Sequence, residues 1–209
     1  MSAVLPKCPG YTRPMIEPTL PRLGRRRDAD LTRRFQAGAL TLVGAQGYHQ
    51  LKADAVAAHV GAGKAGLYRR WPDVTSLLAD AIAQLALVPT VEPTGTARGD
   101  LIALLNPWTH PLNAGEEAVA AVQGFVRHLP QLRAAVDLAV TTPLTEQVRT
   151  IIGWHAQQGN RVSPAQRAVL VMVVRALWWE RYVNRRPPHA PAELAQLVDQ
   201  VLLPIIAKN

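Results

Sequence analysis

Apolar residues recur at spacings of three and four along most of the chain. Between residues 28 and 46, Leu31, Phe35, Ala39, Leu42 and Val43 fall on one helical face. The spacing predicts a first helix over about 28–46, with Asp28 and Asp30 suiting its positive end and Gly47 its stop. Two short helices with a glycine turn between them are expected from Leu51 to Trp71. A further helix starts at Pro72-Asp73 and runs through Leu77, Leu78, Ala81, Ile82 and Leu85; Val88 to Gly99 reads as a loop. The helical period returns over 98–106, 115–129, 131–158, 164–184 and 191–206, and Pro143 is expected to break or kink the third of these. Alternating β-branched runs bounded by turns are missing, and no internal repeat is visible. The expected fold class is all-α, with an N-terminal helix-turn-helix three-helix domain and a C-terminal helical domain.

Composition changes this picture at the start of the chain. Residues 1–24 carry Pro6, Pro9, Pro14, Pro18 and Pro21 without apolar periodicity, which reads as a mobile, basic, Pro-rich arm. The expected division is then 1–24 for the arm, 25–72 for the helix-turn-helix domain and 73–209 for the helical remainder. With 209 residues the chain can bury a core without staples. The lone cysteine, Cys8, excludes an internal disulfide framework and a cysteine-rich metal site; in a mobile arm it reads as incidental. The start lacks a charged head followed by an apolar run, and Arg175 stops the longest apolar run, Ala168 to Val174. No signal peptide, no membrane span and a cytoplasmic location are therefore expected.

The net charge of +8 is unevenly placed: residues 1–72 hold 12 Lys and Arg against 4 Asp and Glu, whereas 73–209 hold 11 of each. A basic block beside a neutral one suggests an anion-binding module joined to something else, with nucleic acid the leading anion and a membrane surface the second. Within the basic block Ala57, Gly61 and Leu67 have helix-turn-helix spacing. A close crossing needs a small residue in the first helix, the turn needs one tolerant of positive φ, and the second helix needs an inward apolar anchor. Val56 and Val60 complete the inner face. The second helix then offers Lys64, Tyr68, Arg69 and Arg70 beside the small residues Ala65 and Gly66. In a DNA-bound motif such a helix enters the major groove. There Lys64 suits guanine, and Tyr68 and the arginines suit phosphates.

On these residues the chain resembles the tetracycline-repressor family over residues 28–88. The family pattern is a long first helix ending near Gly, then Ile/Val-Ala-x-x-x-Gly, then Lys-x-x-Leu-Tyr-x-x-Phe/Trp, then a helix with a Leu pair. Here stand Gly47, Val56-Ala57, Gly61, Lys64, Leu67-Tyr68, Trp71 and Leu77-Leu78. The chain departs from the pattern at Gly63, where Ser or Thr is usual, at Lys52, where Thr is common, and at Val74, where Lys is common. The first weakens a cap and a phosphate contact, Lys52 cannot cap but can itself reach a phosphate, and Val74 leaves the phosphate contact at its helix end unsupported. Arg25, Arg26 and Arg27 are candidate replacements for the missing contacts. The resemblance implies a homodimer on a near-palindromic double-stranded DNA operator, usually repressing a promoter, with a C-terminal domain that holds a small molecule and carries the dimer interface. The candidate DNA-binding residues are Arg25, Arg26, Arg27, Lys52, Gly63, Lys64, Ala65, Tyr68, Arg69 and Arg70.

The C-terminal half carries most of the tryptophans. Trp108, His110, Phe125, His128, Trp154, Arg175 and Trp179 are candidate pocket residues, because ligand sites combine aromatics with a few polar groups. Each aromatic equally suits a core or interface position. Arg175, inside an apolar run, calls for Glu180, Asp137, an acidic ligand or a solvated edge. Trp178, Tyr182, Leu194, Val198, Val201 and Leu202 are candidate dimer contacts in the last two helices, by resemblance to a four-helix bundle; the stripe they form fits a core as well. His110, His128 and His155 have no metal-ligand spacing, and no cofactor is expected. Glycine-rich phosphate loops, Gly-x-Ser-x-Gly and His-Glu-x-x-His are missing, so an enzyme is not expected. Two other classes stay open: a helical small-molecule-binding protein, and a charge-driven, non-specific nucleic-acid binder.

Overall fold

A computed structural model describes residues 24–207, with side chains from Ala29 onward. Residues 1–23 of the expected arm, Cys8 included, lie outside the described residues, and Gly24 opens the first helix. Among those described the chain is helical without strands.

α1 spans Gly24–Gln46 and starts about two turns before the apolar stripe that opens at Leu31. Arginine is a good helix former, so the helix needs no apolar residue to extend through Arg25-Arg26-Arg27. Phe35, Ala39 and Val43 bury its inner face. Gly47 follows at φ 84° and a short 3-10 turn, Tyr48–Gln50, leads on. α2 (Ala53–His59) and α3 (Lys64–Tyr68) form the helix-turn-helix. Gly61 sits between them at φ 62°, in the left-handed region that side chains rarely adopt. α2 also ends against α1: a Cβ on Gly38 would stand 2.6 Å from Val60 Cγ1, so only glycine permits that approach.

α4 (Val74–Ala83) is capped by Asp73, whose carboxylate accepts the Ser76 N–H at 2.7 Å. It packs against both α1 and α7 (Pro130–Val136). The Asp80 carboxylate accepts from Gln36 Nε2 at 2.9 Å, Trp71 Nε1 at 3.0 Å and Gln84 Nε2 at 3.1 Å. One side chain thereby joins α1, the segment after α3, and α4. Trp71 also meets the Phe35 ring edge-on at 6.1 Å.

α5 (Ala97–Leu105) and α6 (Ala114–Val122) follow. α6 is shorter than the expected 115–129: after Val122 the chain proceeds by tight turns through Gly124 to Leu129, ahead of Pro130. Gly44 of α1 lies against α6, where its Cβ would stand 3.1 Å from Glu117 Cβ.

Pro143 neither breaks the helix nor separates two. α7 continues into a π-helical segment, Asp137–Thr141, and then into α8, Thr142–Gln157. Thr142 N–H bonds back five residues to Asp137, and this wider turn accommodates the proline, which has no N–H to give. The same device recurs at the end of the chain. There α10 (Pro191–Leu197) widens over Val198–Leu202 before Pro204 and α11 (Leu203–Ile206). α9, Pro164–Val183, begins with a capping box of Ser163 and Gln166.

α6 and α9 are joined by a buried ion pair. Arg181 Nη1 donates to Glu116 Oε1, with side-chain exposures of 3% and 4%. Arg181 Nη2 donates to the carbonyls of Pro107 and His110 at 3.0 and 3.1 Å. The other Glu116 oxygen accepts Asn113 N–H at 2.9 Å and so caps α6.

Candidate functional site

The helix-turn-helix turns one side of α3 inward and leaves the other bare. Gly66 and Leu67 are buried, with Gly66 beneath Leu31 and Phe35. Gly63, Lys64, Ala65, Tyr68 and Arg69 are exposed, as is Lys52 just before α2. Tyr68, at 53% exposure, presents its ring and hydroxyl to solvent. Small residues at 63 and 65 between longer polar ones give a surface that a nucleic-acid groove can approach closely.

Two expected contacts are already engaged within the chain. Lys64 Nζ lies 2.7 Å from Asp54 of α2, and this partner raises its ammonium pKa. The ammonium stays charged, and it must exchange a carboxylate for any DNA group it meets. Arg70 is turned towards the fold: Nε donates to Thr32 Oγ1 at 2.9 Å and Nη1 to the Gly66 carbonyl at 2.7 Å. These bonds brace α3 on α1 and hold the guanidinium against the fold. Arg25, Arg26 and Arg27 stand on the first turn of α1; their side chains lie outside the described residues. Gly63 caps α3 without a side-chain bond. Sequence reasoning missed Asp54 and Asp80, whose partners lie ten and up to 44 positions away.

The expected pocket residues do not converge. Trp108 is a core residue, 3% exposed, between Trp178 and His189, with ring centroids 5.8 Å from each. Phe125 packs on Tyr48 and His49 at 4.6 and 4.7 Å, at the seam with the helix-turn-helix domain. His110 and His128 are exposed, and Trp154 is half-buried elsewhere on α8. Arg175 and Trp179 do meet. They line a groove of about 850 Å³ between α8 and α9, with Arg149, Ile152, Arg167, Ala168, Val171 and Met172. Glu180 does not pair with Arg175; it takes Arg186 at 2.6 Å, which holds its carboxyl below the usual range.

The residues expected as dimer contacts lie mostly inside one chain. Trp178, Tyr182, Leu194, Val198 and Leu202 are 0–2% exposed and pack in the core of one chain. Trp178 Nε1 donates to Tyr182 Oη at 3.0 Å inside this core. Val201 is 40% exposed. Apolar surface is instead open along α9, at Val169, Met172 and Val183.

A bare-faced reading helix on an all-helical body defines a helix-turn-helix transcriptional regulator. The comparisons with known proteins narrow this class. Residues 37–81 match the model of bacterial regulatory proteins of the tetR family, and residues 91–201 match the tetracyclin repressor-like C-terminal domain. The chain belongs to the tetracycline-repressor family. It is 29% identical over 178 residues to uncharacterized HTH-type transcriptional regulators of Mycobacterium tuberculosis and Mycobacterium bovis, covering 83% of this chain and 86% of theirs. Its fold is similar to a TetR-family regulator of Rhodococcus (TM-score 0.62, 16% identity, 85% of this chain and 100% of the other). It is also similar to the multidrug binding protein EbrR, solved with imidazole (TM-score 0.62, 19% identity, 91% and 98%). Among the described residues no helix is long and apolar enough to cross a membrane.

Proposed function

We propose that this regulator is a ligand-responsive repressor that binds a near-palindromic operator as a homodimer and is not an enzyme. The observation that carries the reading is the exposed face of α3, with Tyr68 and Arg69 beside Gly63, Lys64 and Ala65. Tyr68, Arg69 and Lys52 hold phosphates and set register, while Lys64 leaves Asp54 to meet a base edge. Two copies associate through the exposed stripe of α9 around Val169, Met172 and Val183. Two-fold symmetry then sets the two reading helices about one DNA turn apart, roughly 34–36 Å. A small molecule that binds the two spacings unequally shifts the population away from DNA. The protein acts on the chromosome in the cytoplasm.

Selection of bound duplexes from a random pool, followed by sequencing, tests this reading. An inverted repeat is the expected result. Tyr68→Phe and Arg69→Ala should weaken binding to that repeat, and Arg69→Ala should lower the salt slope by about one. Recovery of no motif by a folded protein would overturn the reading in favour of charge-driven binding.

A further inference from the structure

The groove between α8 and α9 combines apolar walls with three arginines and no lining carboxylate. Ile152, Val171, Met172 and Trp179 form the apolar part. Arg149, Arg167 and Arg175 line it too, and no carboxylate does. Arg175 makes no hydrogen bond or ion pair with any described residue. Arg167 spends Nε on the Val162 carbonyl at 3.1 Å. Arg149 reaches Glu146, one turn away on its own helix, at 3.3 Å across an exposed surface. Three like charges around one concave surface repel, and an anion relieves that repulsion. Guanidinium forks match the geometry of carboxylate and phosphate oxygens.

We infer that this groove is a binding site for an amphipathic organic anion, its oxyanion head on Arg175 with Arg149 and Arg167 and its apolar body against Ile152, Met172 and Trp179. A volume of about 850 Å³ suits such a molecule. The inference deepens the proposed function, on which it rests for its regulatory meaning: the groove shares Met172 with the α9 stripe assigned to dimerisation, so an occupant sits where two copies would adjust their spacing.

The test uses the full chain and isothermal titration with 1-naphthoate and octanoate, against their neutral counterparts 1-naphthalenemethanol and 1-octanol. The anions should bind at one per chain and at least about tenfold more tightly than the alcohols. Arg175→Gln and Arg149→Gln should each erase most of that preference, by about tenfold for Arg175, and leave the alcohols unchanged. Equal binding of anion and alcohol, or no effect of Arg175→Gln, would overturn the anion site. Exclusion of all four probes from the folded protein would overturn it also. An operator-binding assay separates the two readings. Binding of naphthoate without change in operator affinity would reject its effector role and keep the site. Operator binding without naphthoate binding would reject the site and keep the regulator.

Discussion

The Arg181–Glu116 pair gives the sharpest test of the energetics. Both side chains are at least 96% buried, and the guanidinium also serves the carbonyls of Pro107 and His110. Arg181→Met keeps length and packing but takes the guanidinium from a buried carboxylate oxygen and from the His110 carbonyl, while the Pro107 carbonyl keeps the His110 N–H at 3.2 Å. Removing one partner of a buried pair costs about 3–5 kcal/mol, because the remaining charge is uncompensated. For a chain of this size each kcal/mol moves the melting temperature by roughly 2–4 °C, so a fall of about 6–20 °C is expected. Glu116→Gln in the same chain removes the stranded charge while its amide oxygen still accepts Asn113 N–H, the bond that caps α6. The double variant should therefore recover at least about 1.5 kcal/mol relative to the sum of the single variants. The assay is chemical and thermal denaturation followed by circular dichroism at one fixed protein concentration, since association shifts the apparent midpoint. A loss below about 1 kcal/mol for Arg181→Met, or strict additivity of the pair, would refute the reasoning.

Asp54→Asn should tighten operator binding severalfold, because it frees Lys64 and removes a carboxylate from the DNA-facing surface; gel-shift titration at fixed salt measures it, and weaker binding would show that Asp54 orients the lysine. Asp80→Ala strands Gln36 Nε2 and Trp71 Nε1, both on residues under 10% exposed, and should cost about 2–6 kcal/mol in urea unfolding, at roughly 1–3 kcal/mol per unsatisfied donor. Burial and the nearby Glu116 carboxylate push the Tyr182 phenol well above its ordinary value. Tyr182 holds its proton more tightly folded than unfolded, so it adds stability that is complete below about pH 10 and is lost as pH rises further. Absorbance at 295 nm should show one of the four tyrosines silent at pH 11 in folded protein and titrating in denaturant.

The first third of the chain was legible because its constraints are local. Gly61 and Gly47 both adopt the positive φ that the turn and the helix stop require, and Leu67 and Val56 point inward as their spacing demands. The helix starting at Pro164 was equally plain, with Ser163 capping it. Periodicity fails where a helix changes pitch, as at the π segments before Pro143 and Pro204, each of which shifts by one residue which face is buried. It also fails where partners are distant: nothing near Glu116 announces Arg181, 65 residues away. The pair Trp178-Trp179 shows how fine the margin is. Neighbours on a helix point about 100° apart, and here that angle puts Trp178 in the core at 0% exposure and Trp179 on the arginine-lined groove. Composition marked both as important. The α9 register decides between them, and what sets that register is the packing of Leu170, Val174, Trp178 and Tyr182, at spacings of four, against the rest of the chain. Residues 168, 171, 172, 175 and 179 then lie about 100° round the helix from that stripe, so the groove runs along the neighbouring edge of the core stripe.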